Sequence, residues 1–272
     1  MKSNVFVDSH VHSNYSDDCT MRPEEAVKAA LALGLKGLAF TDHYDLDFPD
    51  KQLLFEFDPS KRAADIKGLR EHYGPEVEIL DGIELGVQPH VIDKSSAIIN
   101  SHPFDFVICS VHAIDGIALH DPDGFYEDKT KEQVYRRYLE EIYQGIRSFN
   151  DFDVIGHLGY VRRYVAYDIK AMPFKNYDDI IEAILKWLIE HGKGIEINLS
   201  GYTYRLGSAI PEADIVKRYK ELGGEIITLG SDAHEPVHVG KSFKQGLSIL
   251  ERSGFEHVNY FKNRKPVFVP LK

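Results

Sequence analysis

The apolar pattern of this chain switches repeatedly between short extended runs and longer helical ones, and that alternation confines it to α/β folds built on parallel strands. Extended runs fall at 4–8, 37–41, 77–85, 105–111, 153–156, 194–199 and 226–230. Helical patterns lie between them at 23–34, 59–73, 131–149, 177–191, 212–222 and 240–254. The first is opened by Pro23 with Glu24 and Glu25, and the helix over 212–222 is stopped by Gly223 and Gly224. A short helix is predicted over 89–101 and an extended tail over 266–269, while the acidic, aromatic stretch 44–59 reads as a lid-like loop. Without a composition break, repeat, low-complexity tract or linker, the 272 residues are expected to form one domain, 1–272, as a parallel barrel of about seven units.

Composition narrows the partners. Lys plus Arg is 32 against 43 Asp plus Glu, a formal net charge of −11, which disfavours a surface built to neutralise nucleic-acid phosphates. The two cysteines, Cys19 and Cys109, are too few for a disulfide framework. Cys109 lies in an apolar run and reads as inert core, and Cys19 stands beside Asp18 in a polar loop. No run approaches the ~18 apolar residues of a membrane helix, so a cytoplasmic location without membrane contact is expected.

In a parallel barrel the chemistry sits where strands end and loops begin. Here those ends are filled with imidazoles and carboxylates: His10 and His12, then Thr41-Asp42-His43, Glu84, Ser110-Val111-His112, Gly156-His157, Glu196 with Asn198, and Ser231-Asp232-Ala233-His234. A lone H-x-H is weak, since 13 histidines in 272 residues would give roughly 0.6 such pairs by chance. The recurrence at successive strand ends is harder to attribute to packing. Six clustered histidines repel when protonated and are costly to desolvate, whereas divalent metals stabilise neutral imidazoles beside carboxylates, with Zn, Mn or Fe suited to the set.

With these motifs in order from Asp8 to His234, the chain resembles the polymerase and histidinol phosphatase (PHP) superfamily of metal-dependent phosphoesterases. The run Phe104-Asp105-Phe106-Val107-Ile108 before Ser110-Val111-His112, with the stand-alone length, is most similar to its histidinol phosphate phosphatase branch. The resemblance implies a distorted (β/α)7 barrel, with the active site at the C-terminal ends of the strands and three divalent metals (Zn, Mn or Fe). It implies His10, His12, Glu84 and Asp232 as ligands of a first metal, with Glu84 bridging to a second completed by His112 and His157. A third would be held by His43, His234 and one ligand from Asp17 or Asp18, where the spacing fits Asp18 better. Arg162 matches a phosphate-contacting arginine of the branch, with the neighbouring Arg163 as its alternative, and Arg205 stands where a second is usual, though at a longer spacing.

The implied activity is hydrolysis of L-histidinol phosphate, a step of histidine biosynthesis, to the alcohol and phosphate. Glu84 would bridge the metals about the attacking water, and Asp232 or His234 would protonate the leaving alcohol. Rivals are another PHP activity, on phosphotyrosine or a nucleotide phosphodiester, and a non-catalytic metal-binding module, which the complete ligand set disfavours. The implied partner is a small phosphorylated substrate, and the chain is expected to be a monomer or homodimer. His72, His120, His191 and His257 read as surface or helix-end residues, and His90, His102 and His238 as structural. Glu196 reads either as a ligand or as a residue that orients His157 or Arg205, and Asp8 is expected to support His10 and His12 without being a ligand.

Overall fold

A computed structural model describes residues 6–121 and 124–272. The chain order is β1 (Val7–Val11), α1 (Pro23–Leu33), β2 (Gly37–Phe40), β3 (His43–Tyr44), α2 (Pro59–Tyr73), β4 (Glu78–Gly86), α3 (Ile92–Ser101) and β5 (Phe106–Ser110). It continues with β6 (Ala113–Ile114), β7 (Ile117–Ala118), α4 (Lys131–Ser148), β8 (Val154–Ile155), α5 (Asp178–Glu190), β9 (Gly194–Asn198) and the short α6 (Ser200–Thr203). The last elements are α7 (Ala213–Glu221), β10 (Ile227–Gly230), α8 (Phe243–Arg252), β11 (His257–Lys262) and β12 (Lys265–Pro270).

The main sheet runs β1-β2-β4-β5-β8-β9-β10-β11-β12, with β3 added beside β4. Every pairing in it is parallel except β11 with β12. The fold is therefore α/β on a mostly parallel sheet, as expected, but among the described residues the hydrogen-bonded path does not close into a continuous barrel. At the seam β1 meets the end of β10 through a single bridge, Val11 with Ala233, flanked by His12 N donating to Ala233 O at 2.9 Å and Asp232 N donating to His10 O at 2.8 Å. The strands are short, which leaves only the tips of these two to meet.

Local chemistry explains the helix ends. Pro23 occupies the first turn of α1, the Glu25 carboxylate accepts from Arg22 N, and Gly34 closes the helix with φ 65°. Asp58 caps α2 and Thr130 caps α4, each accepting backbone N–H groups of the first turn. Val134, Tyr135, Tyr138, Leu139, Ile142 and Ile146 of α4 are buried against the sheet, so its aromatic stripe is core. Cys109 is likewise core.

Three elements depart from the sequence expectation. Of the first predicted strand, Asn4 and Val5 lie outside the described residues, and the strand extends instead to Val11. The stretch after His112 folds as the β6–β7 hairpin. The tail is the second arm of a hairpin: β11 was not anticipated, and Asn263 and Arg264 form the turn with φ 51° and 61°. That hairpin lies across the N-terminal ends of the strands, where Tyr260 and Phe261 join Val7, Ala39, Leu80, Phe106, Ile108 and Val154 in one apolar cluster. At roughly 1.5–3 kcal/mol for each large apolar side chain fully buried, this cluster is a substantial part of the core.

Candidate functional site

At the opposite, C-terminal ends of the strands the side chains are polar, buried and convergent. His10 and His12 project to one side of β1 because alternate residues of an extended strand share a face. Their Nε2 atoms lie 3.0 Å apart. His10 Nδ1 is 2.6 Å from Glu196 Oε1, and since a carboxylate only accepts, Nδ1 carries a proton and Nε2 is the atom turned toward His12. Asp232 Oδ1 is 3.2 Å from His12 Nε2, and Glu84 Oε2 is 3.2 Å from His10 Nε2 and 3.5 Å from His12 Nε2. Four ligand atoms thus face a common point.

A second convergence shares Glu84. Its Oε1 lies 2.7 Å from His157 Nε2 and 3.2 Å from His112 Nε2, and the two ring nitrogens are 3.4 Å apart. His112 Nδ1 is 2.8 Å from Asp45 Oδ1, which again fixes the proton on the far nitrogen. The third group is looser and nearer solvent: Asp18 Oδ2 is 3.6 Å from His43 Nε2 and 3.4 Å from His234 Nε2, and the His234 ring stacks on His12 at 4.1 Å. Asp17 turns away and accepts from Leu54 N at 2.9 Å. The spacing argument for Asp18 therefore agrees with its place beside the two histidines.

Electrostatics match this reading. Burial would raise the Glu84 carboxyl, but the imidazoles of His10, His112, His43 and His157 hold it well below its ordinary range. Burial also pushes His12 well down, helped by His234 and His43, and lowers His157, so both rings are held neutral as metal ligation requires. Conversely, Glu196, Glu84 and Asp232 raise His10 well above the usual value against its burial, as do Asp45 and Glu84 for His112. The pocket has a surplus of carboxylate that attracts positive charge.

A surrounding layer orients these groups. Glu196 holds the His10 ring and accepts from His157 N at 2.8 Å, so it positions His157 through the backbone and makes no contact with Arg205. Asn198 Nδ2 reaches both Glu196 Oε2 at 3.1 Å and Asp232 Oδ2 at 3.3 Å, and Ser110 Oγ donates to Glu84 Oε1 at 2.7 Å. Ser16 Oγ accepts from His43 N at 2.9 Å and lies 3.2 Å from His12 Nδ1. Asp8 accepts from Ser231 Oγ at 2.6 Å and Gly240 N at 2.8 Å, and so joins β1 to the loop after β10. Two glycines make the close approach possible: a Cβ on Gly230 would run into Glu196 Oε1, and one on Gly86 into Asp45 Oδ1.

The arginines divide differently from the sequence expectation. Arg162, fully buried, points away from the cluster: its Nε donates to Lys170 O at 2.9 Å, and its terminal nitrogens meet Ser208 Oγ at 2.9 Å and Glu212 Oε1 at 3.0 Å. Arg163 faces the site instead, bonded to Asp232 Oδ2 and Ser200 Oγ, with its guanidinium 4.6 Å from the Tyr160 ring and 4.5 Å from the Tyr204 ring. Arg205 is exposed at a left-handed φ of 59° and its side chain has no hydrogen-bonding or ionic partner among the described residues. The reason is geometric: residues 160–163 form one turn of 3-10 helix, where successive side chains point about a third of a turn apart.

Asp45 was missed. It stands two residues after His43 with both side chains inward, the alternation that first linked His10 to His12, so the signal was present. Cys19 is buried with its Sγ 3.3 Å from His234 O, beside the site but not aimed into it. The other histidines have local partners: His102 with Asp81, His90 with Asp47, His120 with Asp50, His257 with Glu225 O and His191 stacked on Trp187. His72 packs edge-on to Tyr73, and His238 lies partly buried in the loop after β10.

Comparison with known proteins follows the same lines. The family model for the PHP domain matches residues 8–200. A histidinol-phosphatase of Lactococcus lactis is 32% identical over 95% of each chain, and a probable histidinol-phosphatase of Clostridium acetobutylicum is 31% identical over 96% of this chain and 95% of its own. The crystal structure of the Lactococcus lactis histidinol phosphate phosphatase, complexed with zinc, L-histidinol and phosphate, superposes with a TM-score of 0.89 at 31% identity, covering 97% of this chain and 99% of that one.

Proposed function

The chain belongs to the PHP domain family, and from that premise we infer that it is a metal-dependent phosphatase that hydrolyses L-histidinol phosphate to L-histidinol and phosphate. The observation that carries this reading is the crowding of ring nitrogens about one carboxylate: His10 and His12 Nε2 lie 3.0 Å apart and His112 and His157 Nε2 3.4 Å apart, all beside Glu84. Ring nitrogens at that separation repel unless a proton or a metal ion lies between them. Glu84 Oε2 and His43 Nδ1, 3.0 Å apart in the same pocket, make no aligned hydrogen bond, and all the donor groups are imidazole or carboxylate, the set that suits Zn, Mn or Fe.

His10, His12, Glu84 and Asp232 would hold one ion, Glu84, His112 and His157 a second, and His43, His234 and Asp18 a third. When bound, such ions supply an acidified water and neutralise phosphoryl oxygens. The chain's own part is to place these ligands, exclude bulk water and add charge. Arg163, beside Asp232, binds the non-bridging phosphoryl oxygens, the role that the family resemblance left open between Arg162 and Arg163. The two groups considered for protonating the leaving alcohol are both engaged: Asp232 by His12 and Arg163, and the partly exposed His234 by Asp18 and by Asp232 O. The parallel strands are read as a distorted seven-unit barrel whose seam lies between β1 and β10. No helix among the described residues is long and apolar enough to cross a membrane.

Elemental analysis with phosphate release from a small panel tests this reading. The expected result is more than one equivalent of divalent metal per chain, activity abolished by a chelator and restored by Zn, Mn or Fe, and L-histidinol phosphate turned over far faster than a nucleotide phosphodiester. A folded, metal-loaded protein inert toward L-histidinol phosphate overturns it.

A further inference from the structure

The mouth of the site is bounded on one side by a chain of ring contacts that begins and ends on metal-ligand histidines. His43 packs on Phe55 at 4.7 Å, Phe55 on Phe48 at 5.0 Å, and Phe48 on His120 at 5.8 Å. His120 then approaches Tyr164 at 6.5 Å, Tyr164 meets Tyr160 at 5.3 Å with their hydroxyls 2.7 Å apart, and Tyr160 lies 4.6 Å from His157 and 5.2 Å from His112. The collar draws on three loops distant in sequence: the stretch after β3, the stretch after β7, and the turn after β8. Phe48 and Phe55 are seated on Ala113 and Ala118 of the β6–β7 hairpin, which fixes the collar to the strand end that carries His112.

One carboxylate is built into this collar. Asp50 Oδ2 lies 3.0 Å from His120 Nε2, and Asp50 Oδ1 accepts from Gln52 N at 2.9 Å. The other carboxylates of the same loop are committed or face elsewhere: Asp45 to His112, Asp47 to Lys51 and His90, while Glu56 lies exposed between the buried Phe55 and Phe57. Asp50 therefore has no lysine or arginine partner among the described residues and keeps its negative charge at the rim. The cleft of about 600 Å³ beside it, between residues 49–52 and 116–121, also has His120 in its wall.

A phosphomonoester whose phosphate sits against Arg163 and the ligand cluster must leave its organic part at the mouth. For L-histidinol phosphate that part carries an ammonium and an imidazole that titrates near neutrality, a cationic and aromatic group. An aromatic wall with one carboxylate that is held by a histidine and a backbone N–H, and by no lysine or arginine, is complementary to such a group, through ring stacking and a charge-assisted hydrogen bond. We propose that Asp50, held by His120 within the Phe48–Tyr164 collar, is a specificity-determining residue that receives the cationic end of the substrate. This rests on the substrate reading above.

The test compares kcat/KM for L-histidinol phosphate with kcat/KM for phenyl phosphate, which has the ester but no cation. In Asp50→Asn the ratio of the two is expected to fall about tenfold, the size of one half-exposed charge-assisted hydrogen bond, with the loss carried by KM for L-histidinol phosphate. Asp50→Lys is expected to lower the ratio further, and Asp47→Asn, in the same loop but outside the collar, to keep it. A selective wild type whose Asp50 variants retain the ratio, or change both substrates by the same factor, overturns the assignment alone. A wild type that does not distinguish the two substrates overturns the substrate reading and the assignment with it.

Discussion

The two ends of the strand layer use the same residue types to opposite ends. At the N-terminal end Asp105 accepts from Asn263 N at 3.0 Å and Asp81 N at 3.0 Å and pairs with Arg70 at 2.6 Å. Asp153 accepts from Val107 N at 2.8 Å and Arg264 Nε at 2.7 Å, and Lys262 reaches Glu78 at 2.7 Å. Each carboxylate there is matched by cations and N–H groups of the chain itself. At the C-terminal end the balance is reversed: Glu84 is surrounded by four imidazoles, with no lysine or arginine against it among the described residues, and one of its oxygens makes no aligned hydrogen bond. A satisfied polar group stabilises and is chemically quiet; an unsatisfied one is held in place by its neighbours for something not made of protein.

Substitutions can break this contrast. The largest effect is expected for Glu84→Gln, which removes the shared charge of two ligand groups: phosphate release should fall by more than about 10³ with reduced metal content, while the metal-free protein keeps its melting temperature. Retained turnover at unchanged metal content would sink the ligand assignment. Next is the arginine pair. Arg163→Ala should cost about 10²–10³ in kcat/KM, with its stability loss relieved when metal is bound beside Asp232. Arg162→Ala should do the reverse, leaving Glu212 buried without its cation and lowering stability by about 3–5 kcal/mol in denaturant melts. Equal kinetic losses from both would erase the distinction between them.

Smaller is the expected effect of Glu196→Gln, where the His10 ring loses its charged acceptor. Metal affinity measured by competition with a chelator should drop about 10- to 100-fold, with full-length folded protein still recovered. Smallest for activity is Arg264→Ala at the other end. It should lower the unfolding free energy by about 1–3 kcal/mol, because Asp153 keeps its backbone partner but loses its cation, and kcat should not move. A change in kcat there would mean the two ends are coupled.

Much of this was legible in the sequence because strand periodicity and ligand spacing share a rule. His10 and His12 are two apart, and extended backbone turns such a pair to one side; Asp232 and His234 share the spacing, but Asp232 lies past the end of β10 with a left-handed φ of 55°. The helices over 59–73 and 23–33 were readable from Pro59, Pro23 and Gly34 for equally local reasons. Arg162 and Arg163 were not separable, since the phase of a single 3-10 turn depends on how the loop docks and not on the residues within it. The β11–β12 hairpin was hidden by its turn: two left-handed residues usually signal Asn-Gly, and Arg264 in the second place removes the sign. Arg264 sits there because its side chain is committed to Asp151 and Asp153, a tertiary preference overriding a local one. The incomplete closure at the β1–β10 seam follows from how little of these short strands overlaps, which the residue pattern of neither strand encodes.

The same hairpin has a consequence in time. Val7 and Ala39 are made early, yet the Tyr260 and Phe261 that cover them come after all the strands they share a cluster with. During vectorial synthesis the apolar underside of the sheet stays uncovered while the ligand-bearing loops on the other side already exist. Asp232 and His234 precede Tyr260 by fewer than thirty residues, so the underside is covered only as the last strand-end loop is added.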